Sequence, residues 1–404
     1  MSYTQQEVIQ FVEEEDVKFI RLTFCDVFGK LKNVSIMNSE ISRAFAEGIA
    51  IDASAIAGFG DEAHSDLFLH PDPDTLAILP WRPDQGRVVR MYCTITYPDG
   101  TPFEADGRRL LEEAVAEAKA AGYTFRFGPE IEFYLFKLDA EGNVTDVPYD
   151  RAGYMDLAPE DKGENIRREI CLTLEQMGVY PESSHHEEGP GQNEIDFRYA
   201  DPLAAADNAK TFMSVVGAIC HRNGIGVSFA PKPIEDAPGN GMHINLSVSD
   251  REGNAVTDAA VAGILKHVQA ITVFLNPTEG SYRRLGGHKA PRYVSWSPEN
   301  RSQLVRIPAA KGQYRRAELR SPDPMANPYI AFALLIHAAL EGIRKKIKLP
   351  KPCMVNLYTA PQTTTDKYPT LPTDLREARE VASQSVFIKR VLPKMISDAY
   401  LAKD

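Results

Sequence analysis

In Gly128 to Leu135 (GPEIEFYL), Glu130 and Glu132 are two residues apart. On a strand their carboxylates share one face while Ile131 and Phe133 point to the other. Two like charges at that spacing repel unless something cationic lies between them. Farther along, SSHHEEGPGQNEIDF supplies Glu187 and Glu194 across a Gly-Pro-Gly turn, GNGMHINLS supplies His243 beside Asn245 and Ser247, and RRAELRS supplies Glu318 and Arg320 at strand spacing. Five glutamates and one histidine in strand contexts point to a divalent-metal cluster. Hard carboxylate ligands with no cysteine pair favour Mg²⁺ or Mn²⁺ over zinc. Taken singly the same residues say less: a glutamate pair on one strand face is ordinary solvated surface, and His185, His186 and His243 read as structural histidines. Their joint occurrence carries the metal reading.

A second cluster is cationic. Arg284 (SYRRL), Arg301 and Arg306 (ENRSQLVRIP), and Arg316 and Arg320 (YRRAELR) fall within a short span. Arginine's fixed fork of donors suits bidentate recognition of carboxylate and phosphate. Opposite a multi-carboxylate metal site, such a group points to a phosphorylated reactant bridged by metal, the logic of phosphoryl transfer. Surface ion pairing is the plainer account of any one of these arginines alone. No G-x-x-x-x-G-K-[ST] and no G-x-G-x-x-G before a helix occurs, so neither standard nucleotide-binding loop is indicated.

The elements that must position these residues follow from periodicity. The chain of 404 residues is long enough for two or three domains. Thr4 to Glu15 shows a helical face with Thr4 as cap and Glu7 three residues on. Val17 to Phe24 and Leu31 to Met37 alternate around a turn at Asp26–Lys30, a predicted hairpin. Another strand is expected over Arg87–Tyr97. The turn-rich DGTPFEADGR precedes a helical run from Leu110 to Ala121, which places a domain boundary near residue 103: a small α+β domain over 1–102 and a larger one over 103–404. In the larger part, strand-like blocks (FRFGPEIEFYLF, NEIDFRY, GVSFAPKP, GMHINLSVS, QLVRIPA, RRAELRS) alternate with helical ones (ENIRREICLTLEQMG, DPLAAADNAKTFMSVVGAICHRNG, NPYIAFALLIHAALEGIRKKI). The overall class is α+β, a sheet carrying acidic side chains and backed by helices.

Composition narrows the function. A net charge of −11 argues against a broad footprint on nucleic acid or an anionic membrane. No apolar stretch approaches the roughly 20 residues needed to span a bilayer. Five widely spaced cysteines (Cys25, Cys93, Cys171, Cys220, Cys353) without C-x-x-C, and an acidic N-terminus, lead us to expect a reduced cytoplasm.

GPEIEF, SHHEEGPGQNEIDF, GNGMHINLS, SYRRL, NRSQLVRIP and RRAELRSPDPMANPY, in this order, resemble the glutamine synthetase family, type I. FIRLTFCDVFGKLKNVSI and IDASAIAGF resemble its N-terminal domain. The resemblance implies a β-grasp-like first domain and a catalytic domain with a curved antiparallel sheet, arranged in a homo-oligomeric ring or stacked rings with active sites between subunits. It implies that Glu132, Glu187 and Glu194 hold one divalent ion and that Glu130, His243 and Glu318 hold a second. Arg284, Arg320 and the backbone at Gly239 would hold glutamate; Arg301 and Arg306 would contact the phosphates of ATP, with Glu182, Asn245 and Ser247 near the nucleotide. The implied reaction activates the glutamate γ-carboxylate as an acyl phosphate and transfers it to ammonia or a small amine. Asp52 matches the aspartate that helps to bind and deprotonate ammonium across the subunit boundary.

Departures from the family lie on the amine side. LGGHKAP is one residue shorter than the family's flap and has Lys289 where a glutamate takes a proton from the amine. A lysine does not attract NH₄⁺, and it could accept a proton only if burial strongly lowered its pKa. Ala55 replaces the serine that orients the Asp52 carboxylate, and Pro238 stands where an asparagine is usual. The chain stops at VLPKMISDAYLAKD without the C-terminal tail that clasps the opposite ring, so stacking is expected to lack one anchor. Tyr358 in NLYTAP matches a tyrosine that some bacterial relatives adenylylate, but without the usual acidic, Pro-containing context it reads as an ordinary surface tyrosine. Three roles fit: a ligase for an amine other than ammonia, a conventional glutamine synthetase, and a non-catalytic homologue that binds nucleotide or glutamate.

Overall fold

The computed structural model describes residues 3–402 except 62, 83, 288 and 309–314. The expected strand Gln303–Ala309 therefore ends outside the described residues. The first helix, α1 (Gln5–Glu14), starts at a reciprocal capping box: Thr4 Oγ1 accepts from the Glu7 amide at 3.2 Å, and a Glu7 carboxylate oxygen accepts from the Thr4 amide at 2.7 Å. The hairpin of β1 (Val17–Cys25) and β2 (Leu31–Met37) turns around Asp26, whose carboxylate accepts from the amides of Phe28 and Lys30 at 3.1 and 2.9 Å, with Gly29 at φ +81°. The short helix α2 (Ile41–Ala46) leads to β3 (Ile49–Asp52), β4 (Asp66–Pro71), β5 (Ala77–Ile78) and β6 (Arg87–Thr96). They form a sheet in the order β2-β1-β6-β4-β3, with β5 also on β6 and the pair β1–β6 parallel. First and last strands lying parallel at the centre is the β-grasp arrangement that the sequence resemblance implied.

The second sheet receives its strands from distant parts of the chain. After α3 (Gly107–Ala120) come β7 (Thr124–Leu138), β8 (Val144–Pro148), α4 (Glu164–Gln176), β9 (Pro181–His186), β10 (Gln192–Phe197), α5 (Pro202–Arg222), β11 (Gly226–Ser228) and β12 (Met242–Ser249). Helices α6 (Thr257–Leu275) and α7 (Glu279–Arg284) precede β13 (Trp296–Ser297), β14 (Val305–Arg306), β15 (Ala317–Leu319) and α8 (Pro328–Arg344). Four short helices close the chain: α9 (Gln362–Thr365), α10 (Leu375–Gln384), α11 (Val386–Val391) and α12 (Lys394–Leu401). The sheet order is β13-β14-β15-β12-β7-β10-β9, with β8 and β11 also on β7. Among the described residues its pairs are antiparallel, as the resemblance implied, apart from the two-residue pair β13–β14, which is parallel. Two expected strands are shorter than their alternation suggested. GVSFAPKP contributes only Gly226–Ser228, because Pro231 and Pro233 donate no ladder hydrogen bond, and QLVRIPA contributes only Val305–Arg306 before Pro308.

Side chains opposite the acidic face (Phe127, Ile131, Phe133, Ile195, Ile244) are fully buried against α3, α5 and α8. Helix α6 carries no clean amphipathic stripe, and its 19 residues are long and apolar enough to cross a membrane by composition alone, contrary to the expectation that no stretch approaches that length. It is a core helix, with 67% of that apolar window buried. Its backbone touches α8. A Cβ at Gly263 would lie 2.1 Å from the Ala338 carbonyl oxygen, and one at Gly342 would lie 2.1 Å from that of Ala259. Gly263→Ala is therefore expected to force the helices apart and cost about 1–3 kcal/mol, read as a lower urea midpoint; an unchanged midpoint would show that the crossing can relax.

A charged knot ties the domains together. Arg108, on α3, donates to Asp72 of the first domain at 2.7 Å and to both carboxylate oxygens of Asp207 on α5 at 3.2 and 3.0 Å. The Tyr329 hydroxyl donates to the same Asp207 at 2.6 Å.

Candidate active site

Strand register assembles the site. Across β7, His243 lies opposite Glu130, and on the other side Asp196 of β10 lies opposite the same Glu130. One pleat along, Glu194 lies opposite Glu132, and His185 of β9 lies opposite Glu194. Toward the other edge Glu318 is paired with Asn245 and with Arg306. Because successive side chains alternate, these residues meet on one face while the residues between them enter the core.

Donor atoms of Glu130, His243 and Glu318 lie within 4.8 Å of one another, the trio expected to hold one ion. The other expected trio is shared between two groups of the same tightness: Glu132 and Glu194 meet with His243, and Glu187 and Glu194 meet with His185. His185, which read as structural, thus faces the site, 3.7 Å from carboxylate oxygens of both Glu187 and Glu194. His186 is structural: it is fully buried, and its Nε2 is 2.8 Å from an Asp150 oxygen.

These carboxylates are under electrostatic pressure. Burial first, and then the charge of Glu187, push Glu132 up to about 7. Burial and Glu132 hold Glu194 well above the usual range, and burial raises Glu187 and Asp196 as well. Glu318 goes the other way: burial alone would raise it, but the Arg320 guanidinium, His243 and the Arg306 hydrogen bond together hold it below its ordinary value. Burial and Arg320 hold the His243 imidazole far below its ordinary value, so its nitrogen lone pair is free to coordinate. Crowded oxygens that resist ionisation for want of counter-charge, beside a neutral imidazole, fit a hard divalent cation, Mg²⁺ or Mn²⁺.

The cluster lines a cavity of about 500 Å³ that also takes in Gly239, Arg284, Arg301, Arg306 and Arg320. Arg284 donates to the carbonyls of Ser321 and Arg320 at 2.8 and 3.3 Å, while its buried Nε has no partner among the described residues. The close approach of that guanidinium requires glycine: a Cβ at Gly241 would lie 2.6 Å from an Arg284 terminal nitrogen, and one at Gly239 would lie 2.2 Å from the Pro231 carbonyl. Arg306 donates to Glu318 at 3.1 Å, and Arg320 is ion-paired with the same carboxylate. A second cavity of about 740 Å³ opens on the neighbouring part of the sheet. Glu182 and Ser247 line it with Arg198, Tyr199 and Arg315, and Arg316 borders both cavities. Asn245 lies on the first cavity instead, donating to Glu130 at 2.7 Å.

Other expected residues are elsewhere or differently placed. Asp52, at the exposed end of β3, lines neither cavity. Its carboxylate accepts from the amide and hydroxyl of Ser54 at 2.9 and 2.6 Å, while Ala55 offers it no side-chain donor. Lys289 lines the first cavity, half exposed and ion-paired with Glu188, so the burial invoked for a neutral lysine is not found. The Tyr358 hydroxyl is buried without a partner among the described residues, in the field of Arg320 and Arg284, which corrects its reading as a surface tyrosine. Several residues went unread in the sequence: Asp196, Tyr154, Glu188, and the pair Gln192 and Gly241 that fixes Glu132. The Gly241 amide donates to that carboxylate at 2.6 Å and the Gln192 amide group at 3.3 Å. Asp196 was legible, since NEIDF repeats the spacing of PEIEF.

A β-grasp sheet beside a curled sheet whose carboxylate–imidazole floor faces an arginine wall defines an enzyme class: ligases that activate a carboxyl group with a nucleotide phosphate at a divalent-metal site. Comparisons make the class specific. Residues 16–98 match the glutamine synthetase β-grasp domain and residues 104–403 the glutamine synthetase catalytic domain. The chain is 43% identical to glutamine synthetase of Clostridium saccharobutylicum over 99% of this chain and 94% of that one. It is 43% identical to that of Methanosarcina mazei over 98% and 92% of the two chains. In structure it resembles GmaS solved with ADP, with a TM-score of 0.88 at 26% identity over 97% of this chain and 93% of that one. Glutamine synthetase of Plasmodium falciparum shares the fold, with a TM-score of 0.87 at 20% identity over 99% and 95%. The chain belongs to the glutamine synthetase family.

Proposed function

We propose that this chain, an ATP-dependent ligase of the glutamine synthetase family, activates the γ-carboxylate of glutamate and passes it to ammonia or a small amine. The observation that carries this reading is the tight Glu130–His243–Glu318 group, set against Arg284, Arg306 and Arg320 in one cavity. A non-catalytic role gains no support: relatives at 43% identity over nearly the whole chain are glutamine synthetases.

In this reading Glu182 and Ser247 hold the nucleotide in the larger cavity, with Asn245 at the junction, and the phosphates point toward Arg301 and Arg306. Arg284, Arg320 and the Gly239 backbone seat glutamate so that its γ-carboxylate oxygen faces the terminal phosphorus. Mg²⁺ or Mn²⁺ held by Glu132, Glu187 and Glu194 and by Glu130, His243 and Glu318 would neutralise the phosphate oxygens. Attack forms an acyl phosphate and releases ADP; Arg301 disperses the charge on the phosphoryl group as it moves. The amine, having given up a proton, attacks the activated carbonyl and phosphate leaves. Water must be kept from the intermediate, and the loop carrying Lys289 is placed to do so. Asp52 acts from a neighbouring subunit of a ring, with domains divided at residues 102 and 103. A cytoplasmic setting is supported by five free cysteines.

The test is phosphate release from ATP with Mg²⁺ or Mn²⁺ and glutamate, with no added amine, with ammonium and with small primary amines, product masses being recorded. Release that needs both glutamate and an amine, with a γ-glutamyl amide as product, is expected. Release independent of glutamate would sink the choice of acid.

A further inference from the structure

Lys289 is itself a primary ammonium on an alkyl chain, and where it rests is informative. Its Nζ is ion-paired with Glu188 and lies 5.4 Å from the centroid of the Tyr154 ring. Its backbone is fixed: φ is +63°, and its carbonyl accepts from Arg320 at 3.4 Å. The Tyr154 ring stands edge-on to His185, with centroids 5.5 Å apart, and Met155 beside it is 59% exposed. Tyr154, Met155, Glu188 and Lys289 all line the cavity that holds the carboxylate cluster.

A carboxylate and an aromatic face converging on one point are what an organic ammonium seeks, and the adjacent thioether supplies apolar surface for its hydrocarbon part. The present occupant is held loosely, since the Lys289 side chain is 50% exposed and that of Glu188 34%; ion pairs so exposed are weak and exchange with solution cations. Sequence alone hid this, because Lys289 read as a charge reversal at the flap. Glu188 nevertheless puts a carboxylate opposite Lys289 in the same cavity.

We propose that Glu188 and Tyr154 form the seat for the substrate's ammonium group, that Lys289 is a tethered occupant competing for it, and that the amine is a primary alkylamine whose hydrocarbon part lies against Met155. The proposal rests on the ligase reading above. Ammonium itself would meet Glu188 and the ring but leave the apolar surface unused, and so binds the seat less well.

Three nucleophiles separate the possibilities: ethylamine, ammonium, and hydroxylamine, which is largely uncharged near neutral pH and needs no cation seat. Each is supplied to the full-length protein with ATP, Mg²⁺ and glutamate, and product is quantified for the wild type, Lys289→Met, Glu188→Gln and the double variant. Removing the competitor in Lys289→Met should lower KM for ethylamine by about 2- to 5-fold, the scale of roughly one exposed charge contact. Glu188→Gln should lower the ratio of ethylamine to hydroxylamine use by about tenfold or more, and the double variant should follow Glu188→Gln. An unchanged ethylamine KM in Lys289→Met, or equal losses with ethylamine and hydroxylamine in Glu188→Gln, would overturn the seat. A KM for ammonium equal to or below that for ethylamine in Lys289→Met would overturn the alkylamine assignment. Absence of every product, hydroxamate included, would instead overturn the ligase reading on which the seat depends.

Discussion

Glu318→Gln is expected to reduce glutamate-dependent phosphate release from ATP by about 10²- to 10³-fold, the scale of losing one preorganised electrostatic group from a buried site. Glu318 is 3% exposed, lies in the tight group with Glu130 and His243, and is the carboxylate on which both Arg306 and Arg320 converge. Glutamine keeps the shape but presents an amide to two guanidiniums, so a charged oxygen is lost where the reaction concentrates negative charge. The same substitution leaves buried cations short of a partner, and some loss of stability must be separated from loss of chemistry. Glu130→Gln provides the separation. Its side chain is 26% exposed and is held by Asn245 at 2.7 Å, so it should lose a comparable share of activity with little change in unfolding midpoint. Full activity in both variants would refute the assignment of this group to the phosphate side.

Arg108→Ala should cost about 3–5 kcal/mol, the usual penalty for breaking a buried ion pair from one side. The Arg108 side chain is 5% exposed and that of Asp207 is 11% exposed, so removal strands a carboxylate in the interior with the Tyr329 hydroxyl as its one remaining side-chain partner among the described residues. Asp72→Asn should cost much less, because the Asp72 side chain is 25% exposed and water can replace the guanidinium. Urea unfolding followed by the fluorescence of Trp81 in a Trp296→Phe background for the first domain, and by circular dichroism for the whole chain, would check this. If the two variants lost the same amount, Asp72 rather than Asp207 would be the dominant partner, and the domain junction would carry the stability.

Much of this architecture was legible locally. The capping box at Thr4, the Asp26 turn and the alternation of β7 are short-range signals, and each became the element expected. The pairing of strands is not local, since β7 lies between β12 and β10, and β15 comes from residue 317 onward. No periodicity places His243 opposite Glu130; the order of motifs did, through the family resemblance. Helix α6 went unnoticed because it is buried on most of its circumference and shows no stripe. The amine side was hardest to read, because the partner of Lys289 is 101 residues away at Glu188 and no local pattern pairs the two motifs that carry them.

The two-residue period of β7 has a consequence for faithful synthesis. Glu130 and Glu132 alternate with Ile131 and Phe133, which are fully buried, and the neighbouring strands are registered on them residue by residue. A single-residue deletion upstream in β7 would not shift the cluster slightly; it would turn the carboxylates into the hydrophobic interior and the aromatic rings out. Such a chain could not fold at all. Translational slippage in this segment is therefore expected to yield material cleared as misfolded and not a subunit of reduced competence that could enter an assembly and poison it.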